Sequence, residues 1–324
     1  MRAAQRHVIA FLGLHDLAGN TAQNVSWDFT TSSSQTEPTI PDDPGTDNGY
    51  CYTDTMNLSA DLSNVKASFS SSNWQQTILD MYTLRWPSGQ ALAKAQLNDQ
   101  YFAQFVEKGS FDALAGSMMV AIHEETHMYD LDPSRSTWDV NLTQFVNTEW
   151  QPRVNVYGGF PRSQIKYLIE NKANKSLDDL YLEGQQGTYK FHGVLTELNA
   201  GLMGLSAAAT IGDYAKGPIN TMDAAAGYML HLQQYLRTAK EKHSNFYQQI
   251  SNDQELKDFI TIQWLRLQYF LDIASKYPEL SYEYDAIRSN LHEAKNLEAI
   301  RAFTGHQLQI SNCLSEGDNF TQPY

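Results

Sequence analysis

The residues best suited to do chemistry in this chain stand in one run, His123-Glu-Glu-Thr-His127. The pattern is H-E-x-x-H, and its spacing has a physical meaning on a helix. Residues four apart stand one above the other there, so both imidazoles project from one face and can share a metal ion. Zn²⁺ takes two such nitrogens, a third protein ligand and a water. Glu124 lies just off that face, where its carboxylate can take a proton from the water and later hand it to a leaving amine. The neighbouring sequence predicts the helix. Phe111–Leu131 carries the period, Ser110 is suited to cap it, and Met118–Ile122 gives it an apolar approach.

The third ligand decides the kind of centre. A metzincin needs glycine at position 130 and histidine at 133, but the chain has Asp130 and Pro133, which excludes that arrangement. The remaining routes put a carboxylate on a second helix downstream, and Glu197 is the choice. It is the only acidic residue between Gly193 and Ala209, a segment otherwise apolar and small. A lone carboxylate on such a helix is costly unless something compensates it, and a dication would. Glu183, Asp178 and Asp179 are the alternatives, in more polar surroundings. Asp130 falls on the same face as the two histidines. It either orients one of their rings or is a helix-end carboxylate facing water.

These residues resemble the gluzincins, zinc peptidases of the zincin superfamily in which H-E-x-x-H on one helix is completed by Glu on a later one. Within that group, His123-Glu-Glu-Thr-His-Met-Tyr-Asp130 is similar to the H-E-x-x-H-x-x-D stretch of Mlc titration factor-like peptidases, relatives of lethal factor. The resemblance implies a tyrosine shortly before the ligand Glu, whose hydroxyl stabilises the oxyanion. Tyr189 stands eight residues before Glu197, one more than that pattern has. His192 or Tyr157 could play the same part.

The elements that must position these groups are mostly helical by pattern. Helical period runs through Asn73–Arg85, Ala91–Glu107, Phe111–Leu131, Ser163–Asn171, His192–Tyr214, Thr221–Gln249, Gln254–Tyr277 and Tyr282–Phe303. Short alternating pieces within Thr137–Tyr157 read as strands, and an edge near Val154–Tyr157 could hold an extended peptide. His231, beside Tyr228 and Tyr235, reads as a packing histidine. The expectation is an α+β fold, a mostly helical zincin-like domain with one small sheet, over residues 50–324.

Residues 1–31 differ from the rest. Leu14-His-Asp-Leu-Ala-Gly-Asn20 followed by Val25-Ser-Trp-Asp-Phe-Thr-Thr31 reads as strand, turn, strand, and resembles the closing hairpin of a bacterial Ig-like domain. A lone hairpin is marginal in water and wants further strands; the resemblance implies a longer multidomain product, secreted or held at the cell surface. Residues 32–49, with three prolines and no large aromatic, form a flexible linker. If the chain is exported, Cys51 and Cys313 can pair and tie the two ends of the domain.

Composition narrows the partners. With 42% hydrophobic residues among 324, the chain can bury a sizeable core. A net charge of −14 argues against nucleic acid and anionic lipid as partners. No apolar run approaches the roughly 20 residues of a membrane span. There is no phosphate-binding Gly loop, dinucleotide fingerprint or G-x-S-x-G elbow. The expected function is a zinc metallopeptidase acting on protein or peptide, with His123, His127 and Glu197 as ligands and Glu124 as general base. Tyr189 or His192 would stabilise the oxyanion. The rival is a surface adhesion or ligand-binding domain on a zincin scaffold, and a metal-dependent amidase is a further alternative.

Overall fold

A computed structural model describes residues 52, 54–169, 175–215, 219–282 and 284–306. The expected Ig-like hairpin, the linker and both cysteines lie outside the described residues. Among the described residues the chain forms eleven α-helices and a two-stranded antiparallel sheet, a mostly helical fold with a small β component. The first helices are α1 (Ser63–Ser68), α2 (Trp74–Arg85), α3 (Pro87–Ala95) and α4 (Phe111–Asp130). Strands β1 (Asn141–Thr143) and β2 (Arg153–Asn155) follow, with Leu142 opposite Val154. Then come α5 (Lys175–Leu182), α6 (Phe191–Thr210), α7 (Thr221–Lys242), α8 (Ser244–Ile250), α9 (Gln254–Ala274), α10 (Tyr284–Leu291) and α11 (Ala294–Thr304).

Several expected helices break where side chains intervene. Pro87 ends α2 and opens α3, because its fixed φ suits the first helical position. The helix expected over Ala91–Glu107 stops at Ala95. Asp99 there accepts the Tyr101 N–H at 2.8 Å and turns the chain into a short 3-10 turn at Phe102–Gln104. The long pattern at Thr221–Gln249 divides at His243, whose backbone leaves the helical region while its ring stacks on Phe160 at 4.1 Å. Ser110 caps α4 as expected, accepting the Ala113 N–H at 3.1 Å.

α6 is the centre of the fold. Every residue of it except His192 is buried. One side supplies Leu195, Leu198, Leu202 and Leu205 to a large core shared with α7, α9, α10 and α11. The other side supplies Met203 and Ala207, joined by Ile211 just beyond its end, to a smaller core built from α1 to α4. Burying a leucine side chain fully contributes about 1.5–3 kcal/mol, so the helix is firmly anchored on both sides. That anchoring allows it to carry a buried carboxylate at Glu197. Among the described residues, no helix is long and apolar enough to cross a membrane.

Candidate metal centre

Helices α4 and α6 bring three of the expected residues together. His123 and His127, one turn apart on α4, and Glu197 on α6 are all buried, and their ligand atoms lie within 4.8 Å of one another. Glu197 Oε2 stands 3.6 Å from His123 Nε2 and 3.4 Å from His127 Nε2. Those separations exceed a normal hydrogen bond, and Glu197 Oε2 is buried without a hydrogen-bond donor. A group of this composition could hold a metal ion.

Electrostatics keep the carboxylate charged. Burial pushes the Glu197 carboxyl up, but the adjacent His123 and His127 and the Arg162 guanidinium outweigh it and hold Glu197 well below the usual carboxylate range. Burial favours neutral His127, and the Glu197 carboxylate overcomes that and raises its pKa. Arg162 is itself buried. Its Nη1 lies 3.7 Å from Glu197 Oε1, and its Nε donates to the Gln186 carbonyl at 2.8 Å. It therefore fixes the outer oxygen of Glu197 to the segment that leads into α6.

The two neighbouring glutamates of the motif differ in environment. Glu124 is half-buried beside the centre. Glu125 is fully buried on the opposite side of α4, where neither carboxylate oxygen has a hydrogen-bond donor and the neighbour is the Asp99 carboxyl. Burial, then the charges of Asp99 and Glu124, push Glu125 up to about 10. It therefore keeps its proton at neutral pH.

Asp130 is fully buried rather than facing water. It accepts the Phe145 N–H at 2.8 Å and the Asn199 side-chain amide at 2.7 Å, tying the end of α4 to α6 and to the segment after β1. Burial pushes its carboxyl up to about 7, and its charge acts on His127 through space.

The alternative third ligands are engaged elsewhere. Asp178 pairs with His231, Asp179 with Lys175 and Glu183 with Lys166. Tyr189 is half-buried, its ring 5.4 Å from the Arg162 guanidinium. His192 is also half-buried, its Nδ1 has no hydrogen-bond partner, and burial with Lys190 and Arg162 nearby lowers its pKa. Neither belongs to the three-residue group. Tyr157 donates to Asp253 at 2.6 Å. The outer edge of β2 is also occupied, because the Arg153 N–H donates to Glu255 and the Asn155 amide to Asp253. The expected peptide-holding edge at Val154–Tyr157 is thus capped by the start of α9.

Two tyrosines that sequence reasoning passed over stand at the centre instead. The Tyr228 ring lies 6.0 Å from the His123 ring, in space that a side chain at Gly201 would fill, since a Cβ there would fall 2.3 Å from it. The Tyr228 hydroxyl donates to that of Tyr181 at 2.8 Å. Burial, and next the Glu197 charge, raise both phenols well above their usual range, with Glu124 adding to the effect. Both therefore stay protonated. The only sequence signal was Tyr228 next to His231 on the helical period.

No family model matches the chain, and no curated protein or solved structure shows significant similarity to it.

Proposed function

We propose that this chain is a zinc-dependent metallopeptidase of zincin-like fold, exported, with His123, His127 and Glu197 as the metal ligands. The observation that carries the reading is the buried, donor-less Oε2 of Glu197 at 3.4 and 3.6 Å from two imidazole nitrogens. Ligands about 2.0–2.1 Å from a tetrahedral Zn²⁺ lie about 3.3–3.4 Å from one another, which agrees with those spacings. Carboxylate with two imidazoles is also a set that zinc accepts readily.

When bound, Zn²⁺ would polarise the scissile carbonyl and make water nucleophilic near neutral pH. Glu124, half-buried beside the centre, takes the proton from the attacking water and returns it to the departing amine nitrogen. Tyr181 is the group we assign to the carbonyl oxygen. It accepts from Tyr228, so its own proton is left to donate to the oxygen as charge builds there. His192, at the first turn of α6, is a second candidate donor. Arg162 holds Glu197 in place and keeps it ionised.

Zinc stoichiometry of the purified full chain tests the reading, with Glu197→Ala and Glu124→Gln alongside and casein cleavage assayed on the same samples. One zinc per chain with cleavage is expected. Glu197→Ala should lose the metal, and Glu124→Gln should keep the metal and lose cleavage. Zinc without hydrolysis of any protein would favour a ligand-binding domain or an amidase. A wild type that takes up no zinc would end the reading.

A further inference from the structure

The short helix α5 contributes Tyr181 to the centre, yet only Leu177 and Leu182 of it are buried. Apolar packing alone holds such a helix weakly, and its orientation needs another source. Asp178 lies three residues before Tyr181 and so shares its face. On α7, His231 lies three residues after Tyr228. The two pairs run in opposite order along the two helices and form two rungs. Tyr228 bonds Tyr181 at 2.8 Å, and His231 Nε2 stands 2.7 Å from Asp178 Oδ1. The outer rung is shielded, with side-chain exposures of 6% for His231 and 18% for Asp178. A charge-assisted bond so little exposed is stronger than a surface pair. Across the Tyr181 ring, the Arg162 guanidinium lies 4.9 Å from its centroid and limits movement on that side.

We propose that Asp178 and His231 form a positioning pair that clamps α5 to α7 and thereby holds the Tyr181 hydroxyl at the His123–His127–Glu197 centre. This rests on the reading of Tyr181 as donor to the reacting carbonyl. Neither member of the pair touches the reacting atoms. Their effect passes entirely through Tyr181, which separates this role from general support of the fold.

The test uses the zinc-loaded full chain with His231→Leu, His231→Gln, Asp178→Ala and Tyr181→Phe. Loss of the clamp should lower kcat about 10- to 100-fold with KM and zinc content little changed, because the donor is misplaced rather than the substrate. The Gln amide nitrogen can stand in for Nε2, so His231→Gln should recover most of the rate. In a Tyr181→Phe background, His231→Leu should cost nothing further; additive losses would overturn the clamp. Hydrogen exchange over residues 175–182 is read on the metal-free protein. It should speed up by at least about tenfold in His231→Leu and Asp178→Ala, with α4 and α6 unchanged. Should the wild type bind zinc but hydrolyse nothing, the peptidase reading falls and this exchange arm alone decides. Faster exchange confined to α5 then supports the clamp, and unaltered exchange overturns it. Asp178 is the less buried partner, so Asp178→Ala serves if His231→Leu does not fold.

Discussion

Gly204 of α6 faces the backbone of α4 so closely that a Cβ at that position would stand 2.6 Å from the Met119 carbonyl oxygen and 3.4 Å from His123 Cβ. The close approach puts a carboxylate on one helix within reach of two imidazoles on the other. The obstacle to a larger residue is backbone, which cannot swing aside, so one methyl must push the helices apart.

Gly204→Ala is therefore expected to weaken zinc binding by about 10- to 100-fold while costing about 1–3 kcal/mol of stability. Competition with a chromophoric chelator gives the affinity, and denaturant unfolding gives the stability. Unchanged affinity would mean that the ligand spacing does not depend on this contact.

The adjacent glutamates of the motif should respond in opposite ways. On the proposed mechanism Glu124→Gln removes the proton acceptor and should abolish hydrolysis, whereas Glu125 already carries a proton and Glu125→Gln should keep both zinc and activity. The sign of the pH effect follows from the shift. A carboxyl raised from 4.5 to about 10 holds a proton in the folded protein that the unfolded chain has released. Stability then falls as pH rises through that window. Glu125→Gln should flatten this slope in the EDTA-treated protein between pH 5 and pH 9, measured by urea titration. A slope identical to wild type would refute the protonated carboxyl.

On the proposed reading, chelation removes a ligand that only the folded state binds. At zinc about a hundredfold above Kd, that ligand adds about 2.7 kcal/mol. EDTA should lower the Tm of the wild type, and zinc should restore it, whereas Glu197→Ala should show no EDTA response. Acid should release the metal through His127, whose raised pKa brings protons into competition before Glu197, held low, takes one up. An EDTA shift of equal size in both proteins would place the metal elsewhere.

Asp253 caps α9 by accepting the Leu256 N–H at 3.0 Å, and also receives Tyr157 and Asn155. Burial pushes its carboxyl up, but these donors outweigh that and lower it below 3.8. A depressed carboxyl stabilises the fold above its unfolded pKa, and the contribution disappears as pH falls through the folded one. Asp253→Ala should cost about 1–2 kcal/mol at neutral pH, a difference that shrinks in acid. A constant difference from pH 7 to pH 2 would contradict the charge-based account.

Some of this was legible in the residues alone because it is local. Helical period fixes that His123 and His127 share a face, whatever the rest of the chain does, and Ser110 marks where that helix begins. Glu197 was legible for an energetic reason, as a single carboxylate in an apolar helix that needs a charged partner. Helix breaks were less visible. The pattern is continuous through His243, where the helix breaks and the ring stacks on Phe160, far away in sequence.

Tertiary structure alone decided the second layer of the centre. Arg162, Tyr181 and Tyr228 come from three separate segments, and nothing in their local sequence distinguishes them from packing residues. Along the chain Asp178 and His231 read as a spare ligand and a core or surface histidine, and the fold sets them 2.7 Å apart. Spacing along the chain determines which groups one helix presents together. Which groups from different helices meet depends on how closely their backbones can approach, and here small residues such as Gly201 and Gly204 set that distance.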